Sequence, residues 1–260
     1  MRDLTIVIPA YKEAAKIDRD VEAADAFLRQ RQLDGEIIVV DDGSSDGTAT
    51  AARALQSKYP DLRVVSYARN RGKGHALAQG IALAQGRHVM FADAGLCVPY
   101  DVASIGLMML ELGMCDIAHG SRRMRGSVLR RQPLYRRVGS VVYSWVVHFL
   151  MGVPWYVSDT QCGFKIYRHD LAKDLYGELV TDGFMFDIEV ILRALGRKSR
   201  ILEFPVLWSN DADTRYDPIW GTVRNFKELV GIRWTLMTEK RDDAHLEQIR
   251  AALREPVDVT

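Results

Sequence analysis

The segment Glu36 to Thr48, EIIVVDDGSSDGT, constrains the chain more than any other, because Ile37, Ile38, Val39 and Val40 run unbroken into two aspartates and a Gly/Ser turn. Four consecutive apolar residues suit a central strand of a parallel sheet, covered on both faces. In open α/β sheets ligands sit at the carboxyl ends of strands, so this strand delivers Asp41 and Asp42 to a cleft. Carboxylates there can accept hydrogen bonds from the imide, amine or ribose hydroxyl groups of a nucleotide, and Gly43 and Gly47 let the backbone turn tightly into the next helix. The same residues also spell an Asx-rich turn with a helix cap, so the rest of the chain has to decide.

With 260 residues, 48% of them hydrophobic, the chain can bury a substantial core, and one large α/β domain with appendages is expected. A net charge of +1 gives no global field toward nucleic acid, and no nucleic-acid partner is expected. Cys97, Cys115 and Cys162 lack metal-ligand spacing and are odd in number, which fits a reducing cytosol. The opening MRDLTIVIPAYKE has a short apolar run ending at Pro9, so a signal peptide is not expected, and no uninterrupted stretch has the length of a membrane span.

Leu4 to Ile8 reads as a first buried strand ended by Pro9, which cannot donate to a ladder. Ile17, Val21, Ala24 and Leu28 fall at helical spacing between Ala14 and Arg31, and Asp46 can cap a second helix closed by Pro60. Leu62 to Tyr67 is a third strand. The loop ARNRGKG then enters a helix carrying Leu77, Ile81 and Ala84, and its backbone together with Lys73 makes a candidate phosphate site. His88 to Ala92 is a fourth strand ending at Asp93, a repeat of the pattern at Asp41. From Pro99 to Gly113, Val102, Ile105, Met109 and Leu112 form a stripe expected to face the core. Alternating strands and helices predict right-handed crossovers and a parallel sheet.

Arg122, Arg123, Arg125, Arg130, Arg131, Arg136 and Arg137 then crowd one short segment. A solvated loop or an anionic partner would explain them. The apolar, aromatic-rich residues 138–157 follow, and a basic stretch leading into such a segment reads either as a buried core helix or as an interfacial element with arginines near lipid phosphates; the seven arginines favour membrane contact. DTQCGFKIY, from Asp159, is a turn and strand. Phe186, Val190 and Ala194 mark a helix with Asp187 and Glu189 near its start, Ile201 to Trp208 a last strand, and Pro218 to Met237 a long helix for membrane or core.

The motifs TIVIPAYKE, IIVVDDGSSDGT, NRGKGHAL, FADA, GSR and DTQCGFK, in this order, resemble family 2 glycosyltransferases. DTQCGFK, the FDIE helix and VLWSNDADTRYDPIW are most similar to the polyprenyl-phosphate glycosyltransferases, above all the dolichyl-phosphate β-glucosyltransferases, with the mannosyl enzymes next. The resemblance implies the nucleotide-sugar-binding glycosyltransferase A fold, an α/β architecture with a mostly parallel, Rossmann-like sheet flanked by helices. The resemblance covers about the first 235 residues and implies one catalytic domain, placed at 1–237; it includes the segment 138–157 read above as a membrane-interface helix, and the charged residues 238–260 form a tail.

The resemblance further implies that Pro9, Tyr11, Glu13, Asp41 and Asp42 contact the base and ribose of the donor and that Lys73 sits near its ribose or diphosphate. Asp93 matches the first carboxylate of the metal-binding DxD motif, with Mg2+ or Mn2+ as cofactor. The chain departs from that motif with Gly95 in place of the second aspartate and Cys97, a soft ligand, where mannosyl relatives place a glutamine. Arg122 would meet the reacting phosphates, with Arg136, Arg137 and Lys165 as further acceptor-phosphate contacts, and Asp159 would orient these cations or act as a base. The expected activity is inverting transfer of a hexose, glucose favoured, from UDP-glucose or alternatively GDP-mannose to polyprenyl phosphate. Its expected place is cytoplasmic, peripheral on the cytoplasmic face of the membrane. Two other readings stay open: transfer to a soluble glycan or hydroxyl acceptor, and a nucleotide-sugar-binding protein whose altered DxD site no longer supports transfer. No GxGxxG follows the first strand, which argues against a dinucleotide-binding dehydrogenase.

Overall fold

A computed structural model describes residues 1–127, 143–209, 218–238 and 258–259, with side chains of the last helix from Arg224 onward. In chain order the elements are β1 (Arg2–Ala10), α1 (Ile17–Gln30), β2 (Gly35–Asp41), α2 (Thr48–Ala54), β3 (Leu62–Ser66), α3 (Lys73–Leu83), β4 (Gly86–Ala92), α4 (Ala103–Glu111), β5 (Ile117–Ser121), β6 (Phe164–Arg168), α5 (His169–Gly177), α6 (Phe186–Gly196), β7 (Ile201–Pro205), α7 (Pro218–Thr238) and β8 (Asp258–Val259). The strands form one sheet in the order β7-β5-β6-β4-β1-β2-β3-β8. β6 runs antiparallel to β4 and β5, β8 antiparallel to β3, and the other pairs are parallel. The strand order reverses at β1, which lies between β2 and β4, and the crevice that carries a ligand in open α/β sheets forms at such a point.

Period-2 alternation explains the two-sided core. Ile6 and Ile8 of β1 and Ile37 and Val39 of β2 pack with α1, α2 and α4 on one face. Val7, Ile38 and Val40 pack with α3, α5 and α6 on the other. The run in β2 is therefore apolar at every position because both of its faces are covered.

Four expectations change. β1 continues through Pro9 to Ala10. The Asp42 amide donates to the Ala10 carbonyl on the β2 side, so alternation turns the Pro9 nitrogen toward β4, whose pairing with β1 ends at Val7 opposite Phe91. No ladder bond is lost there. β5 and α5 were not anticipated from the sequence, and the antiparallel β6 breaks the uniform parallel pattern. On α4 the buried residues are Ala103, Gly106, Leu107, Met109 and Leu110, while Ile105 and Leu112 are 38% and 67% exposed. The helix approaches the sheet at Gly106, where a Cβ would lie 2.9 Å from both Ile166 and Phe204, and this small residue centres the buried face.

Of the apolar segment 138–157, residues 143–157 are described. A helical turn passes into the π-helical stretch Val146–Leu150 and stops at Gly152, which has a φ of 77°. The core reading holds for one side of this segment, and the other side is exposed. Val147, Met151, Val153 and Val157 are in the core, whereas Trp145, Phe149, Leu150, Trp155 and Tyr156 are 51% to 63% exposed. Arg130, Arg131, Arg136 and Arg137 lie outside the described residues. No described helix is long and apolar enough to cross a membrane.

Candidate active site

β1 and β2 end side by side, with Ala10 opposite Asp41, and the loops leaving them are tied together. Ser44 Oγ accepts from the Lys12 amide at 2.8 Å, and Thr48 Oγ1 accepts from the Glu13 amide at 2.9 Å. Pro9, Tyr11, Glu13 and Asp41 thereby stand together on one rim of the cleft. Burial holds the Asp41 carboxyl above the usual carboxylate range, although the Ser44 amide donates to it.

Asp42 has a different part from the one the resemblance implies. Its Oδ1 accepts from Tyr67 Oη and the Arg71 amide, both at 2.8 Å, and its Oδ2 from Asn70 Nδ2 at 2.8 Å and the Gly72 amide at 2.9 Å. Four donors saturate a carboxylate. Asp42 therefore secures the loop before α3 and has no lone pair left for a base or ribose. The backbone of that loop is likewise committed, since the Gly74 and His75 amides at the start of α3 donate to the Asp182 carbonyl at 2.8 and 3.2 Å. With the Arg71, Gly72, Gly74 and His75 amides committed, the Lys73 side chain becomes the main phosphate-binding candidate of that loop.

Lys73 Nζ is 2.5 Å from Asp93 Oδ1. Burial alone would lower the pKa of this ammonium, but Asp93 and Asp187 outweigh it and hold it above the ordinary lysine range. The other carboxylate oxygen of Asp93 rests on Gly163, where a Cβ would sit 2.0 Å from it, so a larger residue there would displace the Asp93 carboxylate. Behind this pair, Lys165 Nζ is ion-paired with Asp187 and donates to the Thr160 carbonyl at 3.2 Å. Lys165 is only 1% exposed and belongs to the support beneath the site; this corrects its assignment to the acceptor phosphate. Its side chain points into the layer between β6 and α6 because it shares a strand face with the buried Tyr167.

At the end of β5, Arg122 meets Asp159 through a fork. Arg122 Nε donates to Asp159 Oδ2 and its Nη2 to Oδ1, both at 2.7 Å, and the Arg122 amide donates to Oδ2 at 2.9 Å. Asp159 is 3% exposed. Burial would raise its pKa, but the bonds and charge of Arg122 pull it down to about 2. Glu203 on β7 fixes the turn by accepting from the Asp159 amide at 2.8 Å and from Ser158 Oγ at 2.7 Å. The guanidinium faces the Trp208 ring at 5.5 Å. Asp93, Cys97, Tyr100, Gly163 and Trp208 line the recess beside it. Arg136 and Arg137, the other acceptor-phosphate candidates, lie outside the described residues.

Asp20 had not been singled out from the sequence. It is buried on α1, and its carboxylate accepts from the Gly95 amide at 2.9 Å and the Leu96 amide at 2.9 Å, pinning the loop that follows Asp93. The signal was available: Asp20 falls on the apolar stripe of Ile17, Val21 and Ala24, where a charged residue needs a partner. Burial pushes its pKa up to about 6 against the pull of these amides. A raised carboxyl pKa means that the folded state binds the proton more tightly than the unfolded chain, so this group's contribution to stability falls as pH rises from about 4 to about 6. Chemical denaturation across that window should show wild type losing on the order of 2 kcal/mol relative to Asp20→Asn, whose profile lacks this titration. Parallel profiles would contradict it.

Among the described residues no group of three His, Cys, Asp or Glu side chains converges to hold a metal ion. At the Asp93 loop the donor set is one carboxylate already paired with an ammonium, a glycine at 95 and the thiol of Cys97. Hard divalent cations take oxygen ligands, and among the described residues this loop offers a single carboxylate, already turned to the Lys73 ammonium.

The model of the family described as Glycosyl transferase family 2 matches residues 5–176. The human dolichyl-phosphate beta-glucosyltransferase is 30% identical over 91% of this chain and 76% of its own length. The enzyme of that name from Saccharomyces cerevisiae is 28% identical over 88% of this chain and 74% of its own. Among solved structures, glucosyl-3-phosphoglycerate synthase from Mycobacterium tuberculosis, in complex with Mn2+, UDP and glucosyl-3-phosphoglycerate, superposes with a TM-score of 0.67 at 20% identity, covering 90% of this chain and 79% of that one. The same protein in complex with Mg2+ and UDP gives 0.67 as well, at the same identity and coverage. The fold is thus that of glycosyltransferases with a nucleotide-sugar-binding sheet, and with two thirds of its length under the family model the chain belongs to glycosyltransferase family 2.

Proposed function

We propose that the chain transfers a hexose, glucose favoured, from a nucleoside diphosphate sugar to a polyprenyl phosphate at a membrane surface. The observation that carries the choice of acceptor is the Arg122–Asp159 fork. A carboxylate with a pKa of about 2, both of whose oxygens already accept from a guanidinium, is a poor base at neutral pH. A hydroxyl acceptor needs a base; a phosphate monoester does not, because its second pKa is about 6 and it arrives as an anion. The acceptor oxygen attacks the anomeric carbon, the bond from that carbon to the donor diphosphate breaks, and the electron pair leaves on the nucleoside diphosphate. One such in-line displacement inverts the anomeric centre. Arg122 holds the attacking phosphate, and the names of the curated relatives support dolichyl-type carriers as its source.

The membrane side of this reading is supported by exposed apolar side chains on two neighbouring elements. Trp145 stacks on Phe149 at 4.4 Å, Trp155 meets both edge-on at 6.1 and 5.6 Å, and all three remain exposed. On α7, Leu229 and Ile232 are buried, while Phe226, Val230, Trp234 and Met237 face away from the core. Both elements pack on Met185, whose Sδ takes the Tyr143 hydroxyl at 3.7 Å and whose amide donates to Glu228 at 3.0 Å. Amphipathic aromatics beside a basic segment suit the headgroup layer, and a peripheral position on the cytoplasmic face is the placement we propose. Trp145→Ala combined with Trp155→Ala should lower binding to anionic vesicles by about tenfold or more in a flotation assay. Unchanged flotation would remove these residues from the membrane contact.

The test of function is transfer of labelled sugar from UDP-glucose, with GDP-mannose for comparison, to polyprenyl phosphate in liposomes. Polyprenol without its phosphate is the control acceptor. Phosphate-dependent transfer is expected, and equal transfer to polyprenol would overturn the acceptor assignment in favour of a hydroxyl acceptor.

A further inference from the structure

The donor diphosphate is the most highly charged group the proposed reaction brings into the cleft, and the loop that faces it holds an ammonium in a fixed place. Lys73 begins α3, with its Nζ 2.5 Å from Asp93 Oδ1 and 5.6 Å from the ring centroids of both Phe91 and Phe186. Its side chain keeps 17% exposure toward the cleft. Asp93 is held between that ammonium and Gly163, so its carboxylate is turned to a cation that the chain itself supplies.

The following residues offer nothing that would recruit a second cation. Gly95 has no side chain and a φ of 92°, and its amide is committed to Asp20. Cys97 presents sulfur, which a hard cation does not select. A divalent ion bound to Asp93 would also lie against the Lys73 ammonium, and like charges at that separation repel.

We propose that Lys73 supplies at the donor diphosphate the positive charge that a divalent cation would otherwise bring, so that nucleotide binding by this chain is independent of metal, unlike the solved glucosyl-3-phosphoglycerate synthase complexes, which hold Mn2+ or Mg2+ with UDP. The inference rests on the donor reading above. As the bond between the anomeric carbon and the diphosphate breaks, the departing oxygen takes the electron pair and gains one negative charge, which the ammonium meets without giving up its proton. Asp93 acts as a positioning residue that keeps the ammonium at the end of β4.

Calorimetric titration of the full chain with UDP tests this directly, in magnesium, in manganese and in a chelator. The affinity should agree within about twofold across the three, and the electron paramagnetic resonance signal of Mn2+ should show no uptake beyond that caused by UDP alone. Lys73→Met should weaken UDP binding by at least about tenfold, with Lys73→Arg recovering most of it because the charge is kept. Gly95→Asp combined with Cys97→Gln should introduce manganese uptake, since aspartate is among the residues that best tolerate positive φ and both new side chains bring oxygen. UDP binding by the unaltered chain that requires magnesium or manganese would overturn the inference and leave the donor reading standing. Absence of UDP binding under all three conditions would overturn the donor reading itself and the inference with it.

Discussion

Arg122→Ala is expected to reduce sugar transfer to polyprenyl phosphate by about a hundredfold to a thousandfold, with a far smaller fall in UDP affinity. The reason is geometric. The guanidinium is held from three directions, by both oxygens of Asp159 and by the face of Trp208, so it is pre-organised for the charge of an incoming phosphate. Alanine removes that charge and also leaves Asp159 buried without its counter-ion. Arg122→Lys separates the two effects, because it keeps a positive charge and loses the planar fork; an intermediate loss is expected, of about tenfold. The pH dependence follows from the sign of the Asp159 shift. A carboxyl held at about 2, below its ordinary value near 4, contributes stability that is present above pH 4 and is lost as pH falls through 2. The fork is therefore intact throughout the working range, and the acid limb of transfer should instead follow protonation of the acceptor phosphate near pH 6. Steady-state rates against pH for both variants test this, and an Arg122→Ala enzyme with wild-type turnover would remove the arginine from the reaction.

Lys165→Met should destabilise the fold by roughly 3–5 kcal/mol, a large share of the stability of an ordinary domain. Lys165 lies opposite Phe91 in the β4 pairing and opposite His119 in the β5 pairing, with its ammonium over the Phe91 ring at 5.4 Å. Water does not reach it. Methionine fills the space of the stem but strands Asp187, whose carboxyl is already pushed up by burial even with Lys165 and Lys73 nearby. Combining Lys165→Met with Asp187→Leu should recover much of the loss, because two apolar groups leave no charge to solvate. Urea denaturation of the single and double variants measures this. The reading of Lys165 as an acceptor contact makes the opposite forecast, of normal stability with a raised KM for the lipid phosphate.

Some of the cleft could be read without coordinates. An apolar run as long as Ile37 to Val40, stopped by Asp41, has few places to go except the middle of a covered sheet, and the stripe from Ile17 to Leu28 can only be a helix lying on that sheet. Other parts could not be read. β5 is Ile-Ala-His-Gly-Ser, a sequence with little preference for a strand; it becomes one because β6 and β7 pair with it on both sides. Of the stripe expected on α4, Met109 is buried and Val102 packs on the core while Ile105 and Leu112 are exposed, because periodicity gives the phase of a helix only where a single face is apolar, and here both are.

The sequence by itself determined which residues carry charge to the strand ends and in what order, because strand length, alternation and turn chemistry are local properties. Lys73 and Asp93 follow from that local reading, Arg122 and Asp159 from the resemblance to the family, and the structure joins the four as two ion pairs. Only the tertiary structure decided what each charge does there. Asp42 is saturated by a loop that follows the next strand, Lys165 is neutralised by an aspartate on a later helix, and Asp20 reaches across from α1 to hold the loop after Asp93. A side chain's role depends on which partners reach it first, and those partners lie 30, 22 and 75 residues away along the chain.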